Sequence, residues 1–327
     1  MSQLLKIKKN WAKRWASLFK IMETPSPKVI ACTVDNLLPF WPPPETLQDN
    51  YYFVSVGDQI PYDEIIEVFV QFGYNRTKLT TNIGEFSVRG DVVDVFPPGY
   101  HSPIRIDLFG DLIEGIRTFD PMSQRSKDTL DHVVILPVTP AIFKDTLVKD
   151  AKELWHYFWK TGLLNKQAIS LFEDPTYLEE NSILPGIFYK GSTSINEYLI
   201  ENTIYFLVEP EMLRRTLDDC ELSWKNFLDK QRENKGIKIP YDKVFNTASQ
   251  AKGLWVNKQK IIFDSLSGKE YSTVQLPEQK YFSFSDLFWR PEEKKASYFN
   301  TYINLAGVVK DKKNQVVLTF RNNKSKK

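Results

Sequence analysis

Two cysteines and three histidines are all that this 327-residue chain offers to disulfide or metal chemistry. Cys32 and Cys220 stand far apart. They set up neither a disulfide framework nor the short ligand spacing of a zinc site, which fits a reducing compartment. His101, His132 and His156 do not cluster with them, so no metal site is expected. A bilayer span needs roughly 18–20 consecutive apolar residues, and no stretch reaches that. The N-terminal MSQLLKIKKNWAKRW is broken by Asn10, Lys13 and Arg14 before an apolar core forms. That excludes a signal peptide and points to the cytoplasm. A dominant charge is missing too: the formal charge is +2, so no chain-wide field draws the protein onto nucleic acid.

The parts of a nucleotide-driven motor are also absent. A phosphate-cradling loop reads GxxxxGK[ST]. Gly268-Lys269-Glu270 has Glu where the magnesium-binding hydroxyl belongs, and Lys190 precedes Gly191-Ser192-Thr193, in the wrong order. No catalytic triad is spelled out. Asp94, Asp107, Glu114 and Asp120 gather around one hairpin, where solvent-facing charge accounts for them. No catalytic residue and no cofactor are expected, and the chain reads as a non-enzyme.

What remains is an ordinary globular composition, 42% hydrophobic and 26% charged, with room for two or three domains. Trp11, Trp15, Leu18, Phe19 and Met22 recur at helical spacing, and Pro25 and Pro27 end that helix. Residues 29–34 read as a short buried strand, and Trp41-Pro42-Pro43-Pro44 marks a boundary. Pro61 opens a helix with Ile65, Ile66, Phe69 and Val70 on its apolar face, and Gly73 ends it. Further on, Leu154, Trp155, Phe158 and Trp159 form a wide apolar helix face. Residues 204–208 are a buried strand, and a long amphipathic helix over about 211–232 carries Leu213, Leu217, Cys220, Trp224, Phe227 and Leu228. Beyond residue 308 the chain turns Lys-rich and is expected to fray.

The most informative stretch is 84–125. Residues 85–96 form a strand in which Arg89 precedes Gly90, a place for a bulge, and Pro97-Pro98-Gly99 stops the ladder. Alternation over 104–109 puts Ile104, Ile106 and Leu108 on one face and Arg105, Asp107 and Phe109 on the other. Gly110-Asp111 is a two-residue hairpin loop, and 112–119 returns as the partner strand. Uninterrupted pairing sets Phe109 opposite Leu112, Asp107 opposite Glu114 and Arg105 opposite Ile116. The inner face then holds Ile104, Ile106, Leu108 and Ile113. The outer face gathers Arg105, Phe109, Leu112 and Ile116, with the guanidinium and the ring turned outward together. Another part of the chain covers that face, or it is left open for a partner protein; aromatics and arginines are enriched among interface hot spots.

A run of motifs resembles one family. They are VGDQI at 56–60, FGY at 72–74, GEFSVRG at 84–90, VDVFPPG at 93–99, RIDLFGDLIEGIRTFD at 105–120, SQRS at 123–126 and VVILP at 133–137. In order and spacing they are similar to the module of bacterial transcription-repair coupling factors that is akin to domain 2 of the excision-repair protein UvrB. The resemblance implies an α/β and α+β multidomain chain. Its antiparallel-sheet module (45–138) is inserted in a partial, degenerate helicase-like α/β domain formed by 1–44 and 139–264. Residues 265–327 begin the next small domain and a basic tail. EENSILPGIFY at 179–189 and GLW at 253–255 match more weakly. In that family the module binds the ATPase UvrA, which implies protein-binding roles for Arg89, Arg105 and Phe109. The motor and the RNA polymerase contacts of the family lie in regions not represented here. The chain therefore reads as a piece of such a factor, truncated at both ends, whose docking face is left uncovered. A DNA-binding UvrB-like module, an ATPase and a non-functional gene fragment are the rival readings.

Overall fold

The computed structural model describes residues 3–25, 28–173, 185–263 and 315–320. The N-terminal helix Gln3–Glu23 buries Trp11, Trp15 and Leu18 on one stripe, and Trp15 Nε1 donates to the carbonyl of Thr139 at 2.8 Å. Strand β1 (Lys28–Thr33) follows, less buried than its sequence suggests, because it lies at the edge of its sheet. Pro44 opens the short helix Pro44–Gln48. Trp41 bridges to Thr193 and Pro39 to Phe245, so the proline-rich stretch packs against the later half of the chain.

The middle of the chain is antiparallel apart from the short β3, which pairs parallel to β4. β2 (Tyr52–Ser55) pairs with β9 (His132–Ile135). Between them a six-stranded sheet runs in sequence order: β3 (Asn75–Arg76), β4 (Glu85–Arg89), β5 (Val92–Val95), β6 (Ile104–Phe109), β7 (Leu112–Phe119) and β8 (Ser126–Leu130). The helix Tyr62–Gln71 packs on the inner face, where Phe69 meets Phe86 at 5.1 Å. Beneath it lie Val93, Val95, Ile104, Ile106, Leu108, Ile113 and Ile116, all buried. Each such side chain contributes about 1.5–3 kcal/mol when removed from water. Val70 on that helix is instead exposed.

Gly73 ends the helix with φ +80°, and a Cβ there would sit 2.4 Å from the Thr139 hydroxyl. Only glycine meets both demands. It lets the chain double back so that Tyr74 donates its hydroxyl to the carbonyl of Leu136. The FGY motif is in this sense a packing device.

The second half is mainly helical. Helix Asp145–Lys160 buries Trp155 and Phe158, while Trp159 stays half-exposed against His156, flanking the buried stripe. β10 (Ile204–Val208) leads into helix Pro210–Lys235, whose buried positions Leu213, Leu217 and Leu228 lie on the expected stripe. β11 (Lys260–Phe263) and β12 (Gln315–Phe320) complete an all-parallel sheet in the order β1-β12-β10-β11. Residues 315–320, expected to fray, are thus a strand; QVVLTF is rich in β-branched residues, which favour one. The expectations for 179–184, for 265–314 and for the last seven residues lie outside the described residues. Taken together this is a mixed α/β fold with parallel and antiparallel sheets.

A candidate docking surface on the six-stranded sheet

Two glycine-aspartate loops build the surface. Gly110-Asp111 closes β6 onto β7 as anticipated, with Gly110 at φ +60°. Gly90-Asp91 does the same between β4 and β5, with Gly90 at φ +58°. Residues 85–96 are therefore a hairpin and not one bulged strand. Both loops use positive φ at their first position, the preference of glycine-first tight turns. VGDQI buttresses the β6–β7 loop: Ile60 N–H donates to the Asp111 carbonyl, and Gly57 N–H to that of Ile113.

Pairing places Ser87, Asp94, Arg105 and Arg117 in one row across the outer face. Asp94 is its hub, although only 1% of its side chain is exposed. Arg105 Nε donates to Oδ1 at 2.7 Å and Nη2 to Oδ2 at 2.9 Å, while Arg89 Nη2 donates to Oδ2 at 2.7 Å. The carboxylate raises the pKa of Arg105 through these hydrogen bonds. Arg105 also lies over the buried ring of Phe119, 4.6 Å from its centre. Its side chain is 16% exposed, against 48% for Arg89.

The β6–β7 register departs from simple alternation. Phe109 does face Leu112, but an irregularity between Asp107 and Leu108 sets Asp107 opposite Gly115 and Arg105 opposite Arg117. One extra residue in β7 reverses the side on which the later side chains emerge. Ile116, expected outside, is buried in the inner face, and Arg117 takes an outer position paired with Asp107. Gly115 lies beside that pair: a Cβ on it would stand 3.5 Å from Asp107 Oδ2, in ordinary van der Waals contact.

Phe109 is 71% exposed, at the end of the sheet where both glycine loops lie. Arg89, the last residue of β4, stands at the same end. Arg105 is farther down the strand and mostly sequestered by Asp94. The expected pairing of Arg105 with Phe109 at the surface is corrected: the accessible guanidinium at the ring's end of the face is that of Arg89. At the opposite end Asp120 organises a tight loop. Its Oδ1 accepts from the N–H groups of Met122 (3.0 Å) and Ser123 (2.9 Å), and Lys127 pairs with Oδ2 at 3.1 Å. These contacts, the Ser123 N–H foremost, lower the Asp120 pKa to about 2. Arg105 Nη1 reaches toward the Gln124 carbonyl of this loop at 3.5 Å.

Asp94 and Arg117 were missed in the sequence as parts of this surface. Asp94 on a central strand between arginines on both neighbours is a usable signal, but only once Gly90-Asp91 is recognised as a loop. Elsewhere, burial pushes the Cys32 thiol up to about 12, so at neutral pH it is not a thiolate. Among the described residues no group of His, Cys, Asp and Glu could hold a metal ion, and no helix is long and apolar enough to cross a membrane.

Residues 53–140 match the family model of the UvrB interaction domain. A transcription-repair-coupling factor of Myxococcus xanthus is 35% identical over 153 residues, which cover 45% of this chain and 13% of that protein. One from Staphylococcus aureus (strain bovine RF122 / ET3-1) is 38% identical over 202 residues, 56% of this chain and 17% of the relative. Another, from S. aureus (strain Mu50 / ATCC 700699), is 29% identical over 204 residues, 57% and 17%. The matched segment thus spans less than a fifth of each of these relatives. The six-stranded sheet with its paired glycine loops thus lies within the segment that matches the UvrB interaction domain, in a chain whose N-terminal half is similar to transcription-repair-coupling factors.

Proposed function

We propose that this chain is a protein-docking unit of transcription-coupled nucleotide excision repair, that its partner is UvrA, and that the outer face of the six-stranded sheet makes the contact. The matched domain and the homology to coupling factors support the pathway. The observation that carries the surface is Phe109: a phenyl ring at 71% exposure on an ordered strand, with Arg89 at the same end of the face. A large exposed ring near a cation has the composition of an interface anchor. Arg89 supplies charge-assisted contacts to acidic groups of the partner, and Arg105 adds to them from its outer edge.

In this reading the module at 45–138 is an insertion of UvrB domain-2 type. Two structural facts favour that: β1 and β10 belong to one parallel sheet although the module lies between them in sequence, and Trp41 and Pro39 bridge to Thr193 and Phe245. Residues 1–44 and 139–264 are then two parts of one α/β domain, whose parallel sheet also takes in β12 between β1 and β10, against the expectation that 265–327 belong to a separate domain. The role is non-catalytic, since the sequence spells no phosphate loop.

Calorimetric titration of the 327-residue chain into UvrA tests the reading. Saturable binding, weakened by Phe109→Ala, supports it. Absence of heat with the wild-type chain, or salt-sensitive binding to DNA alone, overturns it.

A further inference from the structure

We propose that Asp94 is a positioning residue of the docking face: it locks Arg89 and Arg105 onto one carboxylate and thereby sets where a partner's acidic groups are received. The proposal rests on the docking reading above and goes beyond it by assigning a role to a residue with almost no surface of its own.

The geometry is specific. Asp94 accepts three charge-assisted hydrogen bonds from two strands that do not touch each other, β4 and β6, and sits on the strand between them. Its backbone is held as well. The Thr80 hydroxyl lies 3.2 Å from the Asp94 carbonyl and 3.0 Å from the Ser87 hydroxyl, and Thr80 and Ser87 are both buried. A buried pair of hydroxyls thus adjoins Asp94. Arg105 is held along its Nε–Nη2 edge by the carboxylate and across its plane by the Phe119 ring. A guanidinium carries five N–H donors in a rigid fork. Once one edge is committed, the directions of the others follow. Arg89 gives Asp94 only Nη2, and so keeps its remaining donors for solvent or a partner.

Charge sharpens the inference. Two guanidinium groups share one carboxylate, leaving a net positive charge at the cluster. If net charge alone attracted an acidic partner, Asp94 would weaken the contact, and removing its charge would strengthen it. If Asp94 positions the arginines, removing its charge frees them to repel each other and take up many rotamers, whose ordering must then accompany binding. The two roles predict opposite signs.

The test is titration of UvrA with the 327-residue chain carrying Asp94→Asn, which keeps the shape and removes the charge. We expect affinity to fall about tenfold or more, of the order seen for truncated hot-spot contacts, while the salt slope of binding stays that of wild type because both arginines remain. Affinity equal to or tighter than wild type overturns the proposal. Should circular dichroism show that Asp94→Asn does not fold, Arg105→Lys decides: it keeps the charge and loses the two-edged grip, so positioning predicts a similar loss, and unchanged affinity refutes it. Failure of the docking reading looks different, since then the wild-type chain does not bind, or Phe109→Ala binds as well as wild type.

Discussion

Arg105 grips both carboxylate oxygens of Asp94 from the neighbouring strand, at 2.7 and 2.9 Å, and covers a side chain that is 1% exposed. A residue that resembles a contact arginine is therefore also a structural one. Arg105→Ala leaves Asp94 with Arg89 as its single cationic partner and uncovers Phe119. Losing hydrogen bonds to a buried charge costs about 1.5–3 kcal/mol. The full penalty of an orphaned buried ion is avoided because Arg89 remains. We expect Arg105→Ala to lower unfolding stability by about 2 kcal/mol, read from urea denaturation midpoints at constant m-value. Any loss of binding in this variant must be separated from that change.

The loop beyond β7 titrates separately. Hydrogen bonds from the Ser123 backbone, then Lys127, hold the Asp120 carboxyl down to about 2, below the unfolded value of about 3.9. A depressed folded pKa stabilises above the unfolded pKa, and that stabilisation fades as pH falls through the folded value. The loop 120–126 should therefore remain closed at pH 5 and loosen between roughly pH 4 and pH 2. The carboxyl resonance of Asp120, followed by NMR, should show a midpoint near 2; a midpoint near 4 would mean that the turn does not hold in solution.

Two glycines of positive φ separate backbone strain from crowding. At Gly110 an added Cβ meets nothing within 4 Å, whereas at Gly73 it falls 2.4 Å from the Thr139 hydroxyl. Gly110→Ala should cost about 1 kcal/mol for the backbone conformation alone. Gly73→Ala should cost clearly more, because Thr139 is buried and donates to the Ala141 carbonyl and cannot easily move. Thermal denaturation of the two variants side by side checks the order.

How much of this was legible in the sequence follows from what each signal encodes. Period-two alternation and a Gly-Asp pair gave the β6–β7 hairpin and turned Phe109 outward, because both are local. The inner face was right at Ile104, Ile106, Leu108 and Ile113 and wrong at Ile116. One irregularity in pairing changes the side of every residue after it, and no periodicity announces it. Gly115 was the visible hint, since glycine within a strand often marks such a place. The Asp94 cluster needed the registers of three strands at once. Treating Gly90 as a bulge instead of a loop residue hid it. The exposed flanks, Val70 and Trp159, failed for a different reason: an apolar residue beside a buried stripe need not be covered.

Phe109 offers the cleanest separation of stability from function. Its ring contributes little to the inner core, since it projects from the outer face at 71% exposure. Surface substitutions away from caps, cavities and ion pairs usually alter stability by no more than about 0.5 kcal/mol. Phe109→Ala should therefore unfold at the same urea midpoint as wild type. A hot-spot aromatic, in contrast, costs about 2 kcal/mol or more when truncated, roughly a thirtyfold loss of affinity. The two measurements together distinguish three situations. Unchanged stability with weakened UvrA binding identifies an anchor. Reduced stability means the ring is covered in solution. No change in either removes Phe109 from the contact and moves the search toward the exposed Met122 and the half-exposed Arg117.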